Sequence, residues 1–327
     1  MQPARPASPS VTKPTNAASF VESEAKSAPN TAPNTAPNTA AWPGPNPTIA
    51  PVTIRSLQRA MRERKIFAAL TCYDATSARW LERAGVPVLL VGDTAAEVIL
   101  GFPNTLHAPL EFMLMLTAAV KRGAPRTLVM ADMPFMSYQA DAAEGIRNAG
   151  RFMTEGCADC VKLEVDASFA PLVAGMSRAG IPVVAHIGSR PQHAKQVGGY
   201  VSAGKTSEAA MQILADADAM IAAGASMLLV EATPAEVTEE IVRRSNIPVI
   251  GCGAGPVCHG QIVVTHDLLG LTDRQPPFAL PIVSLGKQLT EMADTWKARV
   301  AAGVLGEHPY ALSDEQRAEF FSRIGRV

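Results

Sequence analysis

The sequence predicts an α/β chain closed into a (β/α)8 barrel, and three observations carry that expectation. Short, nearly uninterrupted apolar runs recur along the chain, the pattern of parallel strands covered on both faces. Stretches of helical periodicity lie between them, and several end in Ala84-Gly85, Arg122-Gly123, Ala179-Gly180 or Ala223-Gly224, glycine being the residue that leaves a helix through a left-handed turn. About eight such repeats over roughly 250 residues match the size of this barrel. A doubly wound open sheet is the rival, but it wants a glycine-rich turn after the first strand, and Thr71-Cys72-Tyr73-Asp74 is not one.

Taken in order, strands are expected at 67–71, 88–91, 127–131, 160–164, 182–187, 227–231 and 248–251. Residues 261–265 read either as an eighth strand or as the opening of a helix. Helices are expected at 77–84, 110–122, 142–155, 169–179, 207–223 and 234–244. Beyond the repeats, 283–301 has apolar residues every three or four positions (Ile282, Leu285, Leu289, Met292, Trp296, Val300) and reads as an amphipathic helix. Its stripe suits covering the barrel, or else a subunit interface. A last helix, 313–323, opens with the Ser313-x-x-Gln316 capping pattern.

Composition narrows the function. The 327 residues carry 29 Lys+Arg against 30 Asp+Glu, with 18% charged, 47% hydrophobic and 5% aromatic residues. That balance excludes a basic nucleic-acid binder, a base-stacking platform and a wholly disordered chain. No apolar run reaches the ~18 residues of a membrane helix, so neither nucleic acid nor membrane is expected as a partner. Five cysteines, odd in number and sparse, read as reduced thiols of a cytoplasmic protein. Cys157-x-x-Cys160 has the spacing of half a zinc site or a redox pair, but no second pair accompanies it. It is read as two small buried residues at a helix-to-strand junction.

Residues 1–51 differ from the rest. They hold 11 of the 26 prolines and repeat Ala-Pro-Asn-Thr three times from Ala28 to Thr39. Too little apolar surface is present to offset ordering entropy, so a disordered tail is expected, with 52–327 forming one barrel domain with C-terminal helices. The tail has neither the apolar centre of a signal peptide nor the arginines of a transit peptide.

Catalytic groups of such barrels project from the C-terminal strand ends. This chain places Asp93, Asp132, Lys162, Glu164, His186 and Glu231 there. Lys162 and Glu164, two apart on one strand, share a face. A single Asp after a strand is ordinarily a cap or turn residue. Several acids at one end of consecutive strands must instead be paired or bind a metal. Carboxylates from adjacent strands suit a hard divalent ion such as Mg2+, and the histidines form no obvious zinc set. Such an ion beside Lys162 would suit a 2-oxo acid and stabilise an enolate next to its carbonyl. Glu231 is then a candidate proton shuttle; the plainer reading is a salt-bridged strand-end acid.

With their neighbours, these residues resemble the ketopantoate hydroxymethyltransferase family. The blocks are Leu70-Thr71-Cys72-Tyr73-Asp74, Leu90-Val91-Gly92-Asp93-Thr94, Ala119-Val120-Lys121-Arg122-Gly123-Ala124-Pro125, Ala131-Asp132-Met133-Pro134-Phe135-Met136-Ser137-Tyr138 and Val161-Lys162-Leu163-Glu164. They continue with His186-Ile187-Gly188 leading to Gly198-Gly199-Tyr200, then Leu229-Val230-Glu231, Ile247-Pro248-Val249-Ile250-Gly251-Cys252-Gly253-Ala254-Gly255, and Gly260-Gln261-Ile262-Val263-Val264 with His266-Asp267. The resemblance spans about 53–271. It implies a barrel of the phosphoenolpyruvate mutase/isocitrate lyase-like type, Mg2+, and homo-oligomers, often decamers. It implies transfer of a hydroxymethyl group from 5,10-methylenetetrahydrofolate to 3-methyl-2-oxobutanoate, giving 2-dehydropantoate on the way to pantothenate. By position, Asp93, Asp132 and Glu164 would hold the metal, Asp93, Thr94, Asp132 and Lys162 would contact the oxo acid, and Glu231 would accept the proton.

The chain also departs from the family pattern. Thr94 replaces a serine, Ala95-Ala96-Glu97 replaces Leu-Gly-Met, Pro103-Asn104-Thr105-Leu106-His107-Ala108 replaces a segment like Asp-Ser-Thr-Leu-Pro-Val, and Met115-Leu116 replaces Tyr-His. Near the end, His259 replaces the Asp of an Asp-Gly-Gln motif, and Pro276-Pro277-Phe278-Ala279 replaces a Pro-Lys-Phe-like segment. Remodelling of the 94–107 loop above the substrate points to an altered oxo-acid or one-carbon-donor preference, or to lower activity. Two alternatives are therefore kept. One is a divergent paralogue doing aldol-type or C–C/C–P lyase chemistry on another 2-oxo acid, although the isocitrate lyase segment Lys-Lys-Cys-Gly-His is missing. The other is a non-catalytic barrel scaffold, which the retained charged set argues against.

Overall fold

The computed structural model describes residues 50–326; the expected disordered tail, 1–51, lies outside the described residues but for its last two. The elements follow one another as α1 (Ile54–Arg62), β1 (Phe67–Thr71), α2 (Ala75–Arg83), β2 (Val88–Val91), α3 (Ala95–Val98), α4 (Leu110–Gly123), β3 (Leu128–Asp132), α5 (Ala142–Thr154), β4 (Cys160–Glu164), α6 (Ala170–Arg178) and β5 (Val183–Gly188). Then come α7 (Ala194–Val197), α8 (Ser207–Ala222), β6 (Met227–Glu231), α9 (Ala235–Arg244), β7 (Val249–Cys252), β8 (Gly260–Val263), α10 (Thr265–Leu268), α11 (Leu285–Ala301) and α12 (Asp314–Arg323). All strand pairs are parallel and the sheet closes, Ala69 of β1 lying opposite both Val88 of β2 and Ile262 of β8.

Alternation along each strand builds two cores. Inward residues such as Val88, Leu128, Cys160, Met227 and Ile250 fill the barrel, while their neighbours Leu89, Val129, Val161 and Leu228 pack outward in the cluster shared with the helices. The inward rows change character toward the C-terminal end. Leu128 and Met130 are followed by Asp132, Cys160 by Lys162 and Glu164, Val184 by His186, and Met227 and Leu229 by Glu231. A period of two thus carries an apolar plug directly into a charged floor.

Several sequence expectations meet a more detailed outcome. Residues 261–265 are both things at once: β8 ends at Val263 and a helical turn opens at Thr265, whose N–H donates to Thr71 Oγ1 at 3.0 Å. Helix α1, with no counterpart in the sequence reading, places Leu57 against the barrel interior and closes its N-terminal end. It is held by a Thr53–Ser56 capping box. The expectation of two buried cysteines is half corrected. Cys160 is buried on β4, but Cys157, in the left-handed turn (φ 53°) between α5 and β4, is exposed.

The stripe on α11 does not cover the barrel. None of its side chains is buried, and Leu289, Met292, Trp296 and Val300 are 46–57% exposed. The barrel wall is itself uneven, since outward Ala68 on β1 is exposed and Val263 on β8 half-buried, whereas Leu89, Val129 and Leu228 are fully covered. His259, in place of the family's Asp, works at the opposite end from the charged floor. Its Nδ1 accepts the Val249 N–H at 3.0 Å, and burial pushes the ring pKa down, keeping it the neutral acceptor this bond needs. Among the described residues no helix is long and apolar enough to cross a membrane.

Candidate active site

A cavity of about 520 Å³ opens at the C-terminal end of the strands, and Asp93, Thr94, Asp132, Lys162, Glu164 and Glu231 all line it. The six residues singled out in the sequence therefore converge on one pocket. Asp93, Asp132, Lys162, Glu164 and His186 are each at most 5% exposed, so their partners decide their charge.

Lys162 Nζ lies 2.9 Å from Asp132 Oδ1 and 3.1 Å from His186 Nδ1. Burial favours the neutral amine, but Asp132, Asp93 and Glu164 together outweigh it and push the Lys162 pKa above its ordinary value. The ammonium must then donate to His186 Nδ1. The imidazole proton is assigned to Nε2, which faces Glu231 Oε2 at 3.4 Å. Burial first, and the Lys162 charge second, push the His186 pKa down and keep the ring neutral. Contacts thus run from Asp132 through Lys162 to His186, whose Nε2 lies 3.4 Å from Glu231 Oε2 without forming a hydrogen bond.

The acids on the other side are tied in sequence. The Asp93 N–H donates to Asp132 Oδ2 at 2.9 Å, so the residue that ends β3 shapes the turn after β2. Burial, and then the Asp132 charge, push the Asp93 pKa up to about 7. Burial, and then the Asp93 charge, push Glu164 well above the usual carboxylate range. One Glu164 oxygen, Oε2, accepts a backbone N–H from Gln192 at 2.9 Å. The other, Oε1, is buried with no hydrogen-bond partner.

Those features test the fit of a divalent cation. Buried acids with raised pKa values, oxygen donors only and an orphaned Glu164 Oε1 make a hard-cation environment. Among the described residues no three His, Cys, Asp or Glu side chains close around an ion by themselves. Mg2+ needs no such cage, because it is held through one or two carboxylates with substrate and water completing the shell. The residues present fit it.

Glu231 ends β6 under tight backbone constraints. Ala232 after it has a φ of 45°, a left-handed conformation that L-residues adopt only under constraint. Gly188, its register partner on β5, has a φ of 91°, and a Cβ there would come 2.5 Å from Thr233 Oγ1 and 2.6 Å from the Glu231 carbonyl oxygen. Only glycine lets β5 run this close to Glu231.

The remodelled segment forms the opposite wall. Thr94 Oγ1 is 2.6 Å from the buried Tyr73 hydroxyl. Glu97 and Tyr200 both line the cavity, and burial pushes the Glu97 pKa up. Arg274, Gln275 and Phe278 line the mouth.

Sequence reasoning missed Gln192 and Tyr138, whose polar atoms meet the floor acids. Both are neutral, so no charge pattern marks them. Tyr138 does stand in a block shared with the family, which was a usable signal. His186 was noted as a strand end, but its place between Lys162 and Glu231 emerges only when β4, β5 and β6 are side by side.

Residues 51–308 match the sequence profile of a family described as Ketopantoate hydroxymethyltransferase. The chain is 44% identical over 252 residues to the 3-methyl-2-oxobutanoate hydroxymethyltransferase of Hyperthermus butylicus, covering 77% of this chain and 87% of that one. It is 48% identical over 233 residues to the enzyme of that name from Alkalilimnicola ehrlichii, covering 71% and 84%. Among solved structures, a phosphonopyruvate hydrolase in complex with oxalate and Mg2+ superposes with a TM-score of 0.55 at 14% identity, covering 84% of this chain and 95% of that one. A 2,3-dimethylmalate lyase, described as a PEP mutase/isocitrate lyase superfamily member, superposes with a TM-score of 0.52 at 18% identity, covering 84% and 96%. These likenesses show the same closed (β/α)8 barrel fold.

Proposed function

The chain belongs to the ketopantoate hydroxymethyltransferase family, and on that premise we propose that it is a Mg2+-dependent transferase. It moves a hydroxymethyl group from 5,10-methylenetetrahydrofolate to 3-methyl-2-oxobutanoate, giving 2-dehydropantoate for pantothenate synthesis. The observation that carries the reading is the Lys162–His186–Glu231 line running beside three buried acids.

Asp93, Asp132 and Glu164 would hold the Mg2+, which supplies Lewis-acid stabilisation of negative charge developing on the keto oxygen. Lys162, kept cationic by its acidic neighbours, balances the substrate carboxylate. Thr94, Asp93 and Asp132 line the same end of the pocket and orient the oxo acid. Glu231, the acid of the floor with open access at 24% side-chain exposure, takes the C3 proton directly or through water. His186, whose Nε2 lies 3.4 Å from Glu231 Oε2, stands behind it and remains neutral. The C3 carbanion equivalent then forms the new C–C bond to the one-carbon unit. Both folate C–N bonds to that carbon break, water supplies the hydroxyl oxygen and a proton to one folate nitrogen, and Glu231 returns the C3 proton to the other nitrogen.

Loss of deuterium from C3 of 3-deutero-3-methyl-2-oxobutanoate tests this. Exchange that requires Mg2+ and Glu231, followed by product formation once the methylene folate is added, is the expected result. No exchange with metal binding intact would overturn the choice of substrate. A second reading, a paralogue working on another 2-oxo acid, is favoured by one observation: the wall carboxylate Glu97 beside Tyr200. We further propose a homo-oligomer, decameric as the family resemblance implies, in the cytoplasm, where five free thiols are at home. The bare stripe of α11 is the natural subunit contact.

A further inference from the structure

The turn Pro191–His193 follows β5 and brings one neutral residue, Gln192, onto two acids that come from β4 and from the turn after β2. Its side-chain Nε2 donates to Asp93 Oδ2 at 2.9 Å and to the Met133 carbonyl at 3.0 Å. Its backbone N–H donates to Glu164 Oε2 at 2.9 Å. Its Oε1 accepts from Gln139 Nε2 at 2.8 Å and lies 3.0 Å from the Tyr138 hydroxyl. Both donors of the amide are therefore used, and its oxygen accepts from Gln139 and shares the one Tyr138 hydroxyl proton with the Glu164 carbonyl, also at 3.0 Å. Turning the amide over would set its oxygen against Asp93 Oδ2 and the Met133 carbonyl, so only one orientation is stable. Gln192 is 3% exposed and Tyr138 2%.

The ring of contacts then closes. The Glu164 N–H donates to the Tyr138 hydroxyl at 3.0 Å, tying the backbone of β4 to the same amide that holds Asp93. Asp93 and Glu164 carry like charge and repel when both are ionised. Left alone, each would rotate away or take up a proton. Gln192 gives one N–H to each and leaves Glu164 Oε1 without a hydrogen bond.

We propose that Gln192 is a positioning residue, with Tyr138 as its own support. It sets the relative geometry of Asp93 and Glu164 before cation or substrate arrives, and so fixes the affinity of the site for a divalent ion. This rests on the metal reading given above. A glutamate at 192 would add a further buried negative charge and donate nothing to Asp93, and an aliphatic residue would leave Asp93 Oδ2 and the Met133 carbonyl without a donor. Amide chemistry is what the position demands.

Mn2+ binding by electron paramagnetic resonance, read from the free-ion signal during titration, tests this without any turnover. Gln192→Met, close in volume, is expected to lose about 10–100-fold in Mn2+ affinity, the usual effect of removing an outer partner of a ligand. Tyr138→Phe is expected to lose a few-fold, since Gln139 still holds the amide oxygen. A thermal melt shows whether each variant is folded, and Tyr138→Phe carries the test if Gln192→Met is not. Folded variants that bind Mn2+ as tightly as the wild type would overturn the positioning role and leave the proposed function standing. A wild-type chain that binds no Mn2+ would overturn both.

Discussion

The floor and the wall of the pocket are built on different plans. On the floor, Asp93, Asp132, Lys162, Glu164, His186 and Gln192 are buried and joined by contacts of 2.9–3.4 Å that cross from β2 to β6. On the wall, Glu97, Tyr200, Arg274 and Phe278 are half-buried or exposed. A buried charge network tolerates no single change, because each partner left behind stays charged and unpaired. A partly solvated wall can change one residue at a time. Family resemblance survives on the floor, and the departures gather at 94–107, beside Glu97.

Breaking the floor should give the largest effects. Lys162→Met leaves Asp132 Oδ1 and His186 Nδ1 without their cation. A loss of about 3–5 kcal/mol is expected, seen in a thermal melt as a fall of roughly 10 °C; an unchanged melting temperature would mean the floor is not a coupled network. Glu231→Gln should lower C3 exchange by about 10²–10⁴-fold while leaving Mn2+ affinity alone. Near-normal exchange would show that Glu231 only braces His186.

The pH dependence sharpens the contrast. Burial and the Asp132 charge hold the Asp93 pKa at about 7, against the ordinary 3.8 of an aspartate. A raised acid pKa means that the folded state binds the proton more tightly than the unfolded chain. The stability it contributes is therefore full below about pH 4 and is lost as pH rises toward about 7. With Asp93 a ligand as proposed, a bound Mg2+ would displace that proton, so the gain in melting temperature on adding Mg2+ should grow from pH 5 to pH 8 and then level off. A gain independent of pH would remove Asp93 from the cation site.

The wall should respond most mildly. Glu97→Met is expected to change kcat/KM between branched and polar 2-oxo acids by about 10-fold, the scale of one altered pocket contact, with Mn2+ affinity and melting temperature near wild type. A fall in Mn2+ affinity would show that wall and floor are one unit after all.

The floor acids were legible because charged residues stand at the C-terminal ends of several consecutive strands, and on β4 a period of two puts Cys160, Lys162 and Glu164 on one face. Gln192 was not, since it meets Asp93 from 99 residues away and carries no charge to mark it. Helix α1 went unread because a nine-residue segment with one buried side chain, Leu57, leaves little periodic signal. The periodicity of α11 was readable, but not what its stripe faces, because amphipathicity states that a face needs cover and says nothing of which surface provides it.

Gly188 carries a consequence for how such a chain can diversify. Every other amino acid adds the Cβ that would strike Thr233 and the backbone of Glu231, so mutation offers no tolerated first step at 188 that keeps Glu231 in register. Lineages exploring new substrates are channelled instead toward loop positions such as Glu97, where a single substitution can be inherited without displacing the strand end that carries Glu231. Divergence within this fold is then expected to accumulate along one rim of the barrel while the opposite strand ends stay frozen.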